Sequence, residues 1–475
     1  MLSSERDLVL RILEYYFGET VSRIAGHLLL SGPITLHKLA SSSSYSFKVV
    51  RNTLLILIKH GIVNYDLESS SIGHIDVTHV LYSLSCNNVL SLLLIPYVFL
   101  ISQDDLDSDS SEVLLQIAKA GIVSLGRVKK ALSNIAADVI EESIFKFLDK
   151  GLIVVCQSFQ QRQNGFQNGE STYNTNSGVL DNLANNMYTL SSGAGFTMSD
   201  SQLYKINTKF ISESLLKEEL KLLMFKRIGG TELLHHVLEV LMKKGTQTSL
   251  SYKEIESKVM KSVKTTNVIE PNKVLSILTG LNKHPDKFVL HSIDDRSYSF
   301  DWYKAKNMLK ERALFGCIKQ LYGIKAARIW TLLITIFQEN PTTCLDIEEI
   351  SKRAVVSIQN ARAILYQLTI KGFAKLQEPD SNHKIANPTD RQQFYFTSSV
   401  DSTHSQIIKN SYKFGSNLLE RLVHEKNSNF RRHLMVDDNS LDVTGEANCG
   451  VIEIHLIYVI KFIVIMQQLQ TFSKS

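Results

Sequence analysis

Apolar residues recur at helical spacing along much of the chain, and one arrangement of them repeats. A run rich in Leu and Ile ends in a basic or amide residue, followed by a turn residue and an apolar pair. The copies lie at residues 51–67, 141–157, 274–290 (degenerate) and 361–377. Gly61, Gly151 and Gly372 stand where a helix C-terminus favours positive φ. A helix that ends at Gly and leads into a strand is the second half of a winged helix, so the repeat predicts several such units.

The predicted fold class is mostly α with small β wings: tandem winged-helix (helix-turn-helix) domains plus a C-terminal helical segment. A chain of 475 residues is too long for one core, and several small domains are expected. The periodicity places winged helices at residues 1–85, 105–159, 202–305 and 325–400, with a basic connecting helix at 306–324 and a C-terminal helix at 403–435.

Residues 160–201 are rich in Asn, Gln, Ser and Gly and show no helical or strand period over most of their length. Such a composition cannot bury enough apolar surface to offset the entropy of ordering. We therefore expect a flexible polar insertion here, which a protease should cut first.

Residues 437–475 form an atypical apolar tail. Val451–Met466 is strongly apolar but is interrupted by Glu453, His455 and Lys461, and it is shorter than the roughly 20 residues that a spanning helix needs. Three interpretations remain open: a packed terminal element, a tail foreign to the rest of the chain, or a membrane anchor. A membrane is not among the predicted partners.

Composition and net charge exclude few classes of protein. The chain is 44% hydrophobic and 21% charged, with a formal net charge of +5, which is mild for a dedicated nucleic-acid binder. The five cysteines are far apart and include no CxxC pair, so neither a disulfide framework nor a zinc site is predicted. A reducing compartment is the default.

The sequence offers no convergent catalytic set. It contains no GxxxxGK[ST], HExxH or GxSxG motif. His235 and His236 are adjacent, so on a helix they point in different directions and do not share a metal ion in the i, i+4 manner. Paired glutamates, such as those at 141–142 and 348–349, fall near the starts of predicted helices, where they offset the helix dipole. The chain is predicted to be no enzyme and to need no metal or cofactor.

The basic residues indicate a possible function more clearly than the search for catalytic motifs does. Between Trp302 and Trp330, seven basic residues stand against the single acid Glu311. The candidate nucleic-acid-binding residues are Lys304, Lys306, Lys310, Arg312, Lys352, Arg353 and Arg362. The predicted third helices, which winged helices commonly lay into the major groove, carry few of the Arg, Asn and Gln residues that read bases. Docking of proteins fits the mild charge better, and non-specific phosphate contact by some unit stays open.

Two stretches resemble a known family. "LRILEYYFGETVSRIAGHLLLSGPITLHKLA" (10–40) and "VRNTLLILIKHGIVNY" (50–65) resemble the start of the largest subunit of the RNA polymerase III-specific heterotrimer. That subunit is a string of winged helices related to the large subunit of general factor IIE. Residues 328–379, "RIWTLLITIFQENPTTCLDIEEISKRAVVSIQNARAILYQLTIKGFAKLQEP", resemble its last winged helix. The similarity extends over residues 1 to about 435.

The resemblance implies a structural role in the nucleus. Family members sit on the polymerase clamp, pair with the two smaller heterotrimer subunits, and assist initiation and the opening of promoter DNA. Their fourth winged helix continues into a coiled coil, a pattern from which residues 437–475 depart. The alternative is a free winged-helix DNA-binding transcription regulator, which should show a dense Arg/Asn/Gln face and a basic localisation run; the sequence shows neither.

Overall fold

The structure is a computed structural model. It describes residues 3–72, 75–102, 107–156, 199–228, 232–243, 249–262, 271–283, 288–292, 297–340, 344–377, 394–435 and 443–470. The described residues are mostly helical with small antiparallel sheets, which confirms the predicted fold class. The chain divides into two compact units, one comprising Arg6–Ser212 and the other Glu213–Ser475 with Met1–Glu5.

The first unit begins with a winged helix whose three strands form a sheet in the order β1-β3-β2. Its elements are α1 (Ser3–Phe17), α2 (Glu19–Ser31), β1 (Ile34–Thr35), α3 (Leu36–Ser43), α4 (Phe47–Lys59), β2 (Val63–Ile72) and β3 (Ile75–Leu84). Two short helices, α5 (Cys86–Leu92) and α6 (Ile95–Ser102), follow the wing.

A second winged helix completes this unit with the same sheet order, β4-β6-β5. Its elements are α7 (Ser108–Ala120), β4 (Val123–Ser124), α8 (Leu125–Ala131), α9 (Ala137–Asp149), β5 (Ile153–Cys156) and β6 (Leu203–Ile206). The predicted polar insertion therefore connects the two wing strands. Its residues 160–198 lie outside the described residues.

The second unit contains a third winged helix, again with its last strand in the centre of the sheet, β7-β9-β8. Its elements are α10 (Thr208–Ile228), which begins in the first unit's residue range, α11 (Glu232–Lys243), β7 (Leu250–Ser251), α12 (Tyr252–Ser262), α13 (Pro271–Lys283), β8 (Val289–Ser292) and β9 (Ser297–Phe300). The sequence predicts that the hairpin formed by β8 and β9 turns at residues 294–296, which lie outside the described residues.

The fourth winged helix has a reduced sheet. Its elements are α14 (Trp302–Glu339), α15 (Ile347–Ala354), α16 (Ile358–Ile370), β10 (Lys375–Gln377) and β11 (Tyr395–Thr397). A single bridge from Leu345 to Phe396 takes the place of the first strand. The span α14 contains two helices, the basic helix and the first helix of this domain, which meet at Gly323, where the backbone is not helical (φ 86°, ψ 170°).

The third helix of every winged helix buries the same stripe, at spacing i, i+4 and i+7. The stripes are Val50, Leu54 and Leu57 on α4; Ile140, Ile144 and Phe147 on α9; Val274, Leu278 and Leu281 on α13; and Ala361, Leu365 and Leu368 on α16. Residues four positions beyond three of these stripes are Gly61, Gly151 and Gly372, with φ of 68°, 73° and 78°. The glycine conformation predicted from the repeat is confirmed, and the chain reverses there into the wing strand.

The chain continues as a helical hairpin made of α17 (Val400–Met435) and α18 (Val443–Gln470). His404 near the start of α17 contacts Met466 near the end of α18, and Lys426 pairs with Glu453 at 2.6 Å. The two helices therefore run antiparallel. The buried side chains of α18 are Cys449, Ile452, Leu456, Ile460, Ile463, Val464, Ile465, Met466 and Leu469.

The packing of α18 fits a terminal element of the fold better than a foreign tail. By length and composition alone, Ala447–Gln470 could cross a membrane. Its buried stripe lies against α17, however, and Lys461 reaches Glu219 of α10 at 3.2 Å. Two of the residues that interrupt the apolar run, Glu453 and Lys461, therefore have partners of opposite charge.

Two isoleucines on α18 provide a matched test of this packing. Ile460 is fully buried and Ile454 is 53% exposed. We expect Ile460→Ala to reduce the free energy of unfolding by about 2–5 kcal/mol, because it removes buried methyl groups and leaves a cavity. Ile454→Ala should change it by no more than about 0.5 kcal/mol. Urea unfolding of both variants measures the difference, and equal effects would contradict the packing.

The sheet order changes what a cut in the polar insertion should do. Because β6 is the central strand of its sheet, a protease that cuts between residues 160 and 198 separates it covalently from its neighbours β4 and β5. We expect two fragments on a denaturing gel that elute together from a native sizing column. Separation of the fragments under native conditions would show that the pairing of β5 with β6 does not hold them.

Candidate nucleic-acid interface

The first half of α14 carries four of the predicted nucleic-acid-binding residues. Asp301 caps the helix by accepting a hydrogen bond from the backbone N–H of Lys304 at 3.0 Å. The Lys304 side chain is half-buried and Arg312 is exposed. These two side chains can reach a phosphate from this helix.

The other two lysines of α14 are buried. Lys306 is 9% exposed and lies over the Trp302 ring, with Nζ 5.6 Å from the ring centroid, and burial lowers the pKa of its ammonium group. Lys310 is 4% exposed, and its Nζ donates to Asp401 Oδ1 at 2.7 Å. Neither ammonium group is presented to solvent as the basic run suggested.

Helical spacing could have identified this pair. Lys306 and Lys310 stand at i and i+4, and the next positions in the same series are Leu314 and Ile318, both fully buried. A lysine in register with core residues belongs to the inward stripe of the helix. Counting charges along the run does not detect that register.

A cluster of polar contacts surrounds Lys310 at the first turns of α17, and we call it the α17 cluster. Beside the Lys310–Asp401 pair, Trp330 Nε1 of α14 donates to Thr403 Oγ1 at 3.0 Å. Nε2 of the buried His404 lies 3.0 Å from the carbonyl oxygen of Met466 on α18. The α17 cluster thus joins α14, α17 and α18.

The remaining candidates lie on the helix-turn-helix of the fourth winged helix. Lys352 and Arg353 are exposed in the last turn of α15, where Arg353 pairs with Glu349 of the same helix, and Arg362 is exposed on α16. The turn between these helices contains Val355, which adopts a left-handed conformation (φ 54°) and is 82% exposed. The described structure gives these three cations an open face.

The third helices differ in charge but share exposed apolar side chains. α4 carries three basic residues and no acid, α16 carries one basic residue, and α9 carries four acids against one lysine. Leu55 on α4, Phe145 on α9, and Tyr366 and Ile370 on α16 are each at least half exposed. Exposed aromatic and large aliphatic side chains of this kind are typical of protein interfaces.

The described residues give little support to metal binding or to a reactive cysteine. No group of three or more His, Cys, Asp and Glu side chains there could hold a metal ion. A cavity of about 50 Å³ within the first unit is lined by residues that include Lys59, His60 and Lys205. Cys317 is an inert thiol, because burial raises its pKa to about 11.

His404 should make stability depend on pH. Burial, with the nearby Lys310 charge, lowers the pKa of His404 to about 4, although the Met466 carbonyl and Asp401 act in the opposite direction. Because the unfolded chain takes up this proton near pH 6.5 and the folded chain does not, the contribution is present above that pH and is lost as pH falls toward 4. Between pH 7 and pH 5 the loss should be about 2 kcal/mol.

The variant His404→Gln isolates this effect, since an amide can still donate to the Met466 carbonyl but does not titrate. We expect urea unfolding at pH 7 and pH 5 to show a smaller loss of stability in the variant than in the parent chain. The same pH dependence in both proteins would mean that His404 is solvated or already protonated in the folded state.

The first winged helix matches a known protein family. Residues 7–68, which include most of α1 and all of α2–α4, match the family described as the RNA polymerase III subunit RPC82 helix-turn-helix domain. This is the segment whose opening residues carried the resemblance.

Similarity to curated relatives extends along nearly the whole chain. The DNA-directed RNA polymerase III subunit RPC3 of Bos taurus is 21% identical over 481 residues, covering 91% of this chain and 86% of the relative. The Homo sapiens protein of the same name is 19% identical over 479 residues with the same coverage. The Danio rerio protein is 23% identical over 137 residues, 28% of this chain and 24% of the relative. The resemblance stated from the sequence is confirmed.

Proposed function

We propose that this RPC3-like chain is a non-catalytic subunit of nuclear DNA-directed RNA polymerase III. The observation that carries the proposal is similarity to RPC3 along 91% of the chain, combined with the helix-turn-helix family match at its start. In this role the chain docks on the polymerase clamp together with the two smaller heterotrimer subunits. It assists transcription initiation and promoter opening by positioning partners rather than by chemistry of its own.

The surfaces of the winged helices support a docking role. The exposed side chains of the third helices combine large apolar groups with few charges on α16 and with mixed charges on α9. Aromatic residues and Arg on such faces are the residue types that dominate protein interfaces. A free DNA-binding regulator is the disfavoured alternative, because similarity to a polymerase subunit covers 91% of the chain.

Co-purification tests the proposal. The tagged full chain, isolated from its own cells at moderate salt, should bring down the catalytic polymerase III subunits in a fixed ratio and should elute with them on a sizing column. Recovery of the chain alone, or on chromatin without polymerase, would favour the free regulator. A Gly372→Val variant, strained at a positive φ, is a control that should unfold the fourth winged helix and reduce recovery.

We further propose non-specific contact with nucleic acid through the accessible members of the candidate set. These are Lys304, Arg312, Lys352, Arg353 and Arg362. Their exposure supports phosphate contact, whereas Lys306 and Lys310 are occupied inside the fold. Contacts of this type hold a duplex without reading its sequence.

Neutralising Lys352, Arg353 and Arg362 together to Ala should weaken duplex binding by the assembled complex similarly for every sequence. The slope of log affinity against log salt should flatten by up to about 0.9 for each phosphate contact that is lost. Lys119→Ala, on α7 of the second winged helix, serves as a control at an exposed lysine outside the set. An unchanged slope in the triple variant would remove these residues from the interface.

A further inference from the structure

The outward stripe of α9 is unlike that of the other third helices. Asp138, Glu142, Phe145 and Asp149 follow one another at spacing i, i+4, i+7 and i+11, and all four are exposed. Phe145 lies at the centre of the stripe and is 50% exposed. We call these four residues the acidic α9 face.

The acidic α9 face is presented by a well-anchored helix. On the opposite side of α9, Ser143 shares a buried hydrogen bond of 2.9 Å with Ser110 of α7, beside the buried stripe described above. On its flank, Lys129 of α8 bridges Glu141 at 2.7 Å and Asp200 at 2.9 Å. Phe145 is therefore held in solvent by the fold, and its exposure is not a consequence of fraying.

The charges on the acidic α9 face determine which kind of partner it attracts. Lys146 is the one base on α9, and it pairs with Glu142 at 2.9 Å. Glu142 raises the pKa of Lys146, and Asp107 at the start of α7 adds to the effect, so a second element contributes negative charge beside the face. A phosphate backbone is repelled here, and a surface that carries Lys and Arg is attracted.

We propose that the acidic α9 face binds a protein surface on which Lys or Arg side chains surround an apolar pocket that accepts Phe145. Interfaces commonly combine a central aromatic anchor with a polar, solvent-accessible rim. The helix that winged helices elsewhere lay on DNA serves in this domain to dock a basic protein. This inference goes beyond the proposed function and does not depend on polymerase membership, because it follows from the charge and exposure of α9.

A photo-crosslinking residue at position 145 of the full chain, expressed in its own cells, tests the inference. The matched control places the same residue at Leu115 of α7, which is 40% exposed in the same domain but outside the face. We expect position 145 to crosslink to one protein, through a peptide rich in Lys or Arg, and Leu115 not to capture that peptide. Polymerase membership is tested separately by co-purification, so the two ideas can fail independently.

Charge exchange then decides whether the contact is specific. With the crosslinker in place, Glu142→Lys with Asp149→Lys should reduce the yield at least about tenfold. Reversal of the contacted partner lysines or arginines to Glu should restore it. Glu112→Lys, an exposed acid of α7 outside the face, should leave the yield unchanged. Crosslinking to nucleic acid or to a second copy of the chain, no product above the Leu115 control, or a yield insensitive to charge reversal would each overturn the proposal.

Discussion

The C-terminal part of the molecule depends on the contacts made at the first turns of α17. There the Lys310 ammonium group meets the Asp401 carboxylate, and Nε2 of His404 meets a backbone carbonyl of α18. A buried ammonium group or imidazole without a partner costs several kcal/mol, so each of these groups is tolerated only while the helix opposite it stays in place. The α17 cluster therefore makes the hairpin a part of the fourth winged helix.

The same contacts explain why a basic run in the sequence does not form an equally basic surface. The run between Trp302 and Trp330 is strongly basic, yet two of its lysines are buried, one of them in the α17 cluster and the other against an indole ring. Arg353 and Arg362, from a segment with fewer basic residues, are exposed. The third helices differ likewise, with α9 acidic and α4 basic, so domains of similar fold present surfaces of different charge.

The repeat made the fold class predictable from the sequence, because the i, i+4, i+7 stripe and the following glycine are local features. Gly61, Gly151 and Gly372 all have the expected positive φ. The role of α18 was not predictable in this way, because it depends on partners far away in sequence, such as His404 on α17 and Glu219 on α10. The burial of Lys306 and Lys310 was predictable from their helical register with Leu314 and Ile318, but not from a count of charges.

Native-state hydrogen exchange of the α18 amides is the most direct measurement of whether the hairpin belongs to the fourth winged helix. If the α17 cluster joins the two, amides around Ile460 and Met466 should open with the same free energy as amides around Leu333 of α14, since both regions open only together. Exchange of the α18 amides at a much lower free energy than those of α14 would show a helix that detaches by itself, and would contradict this account.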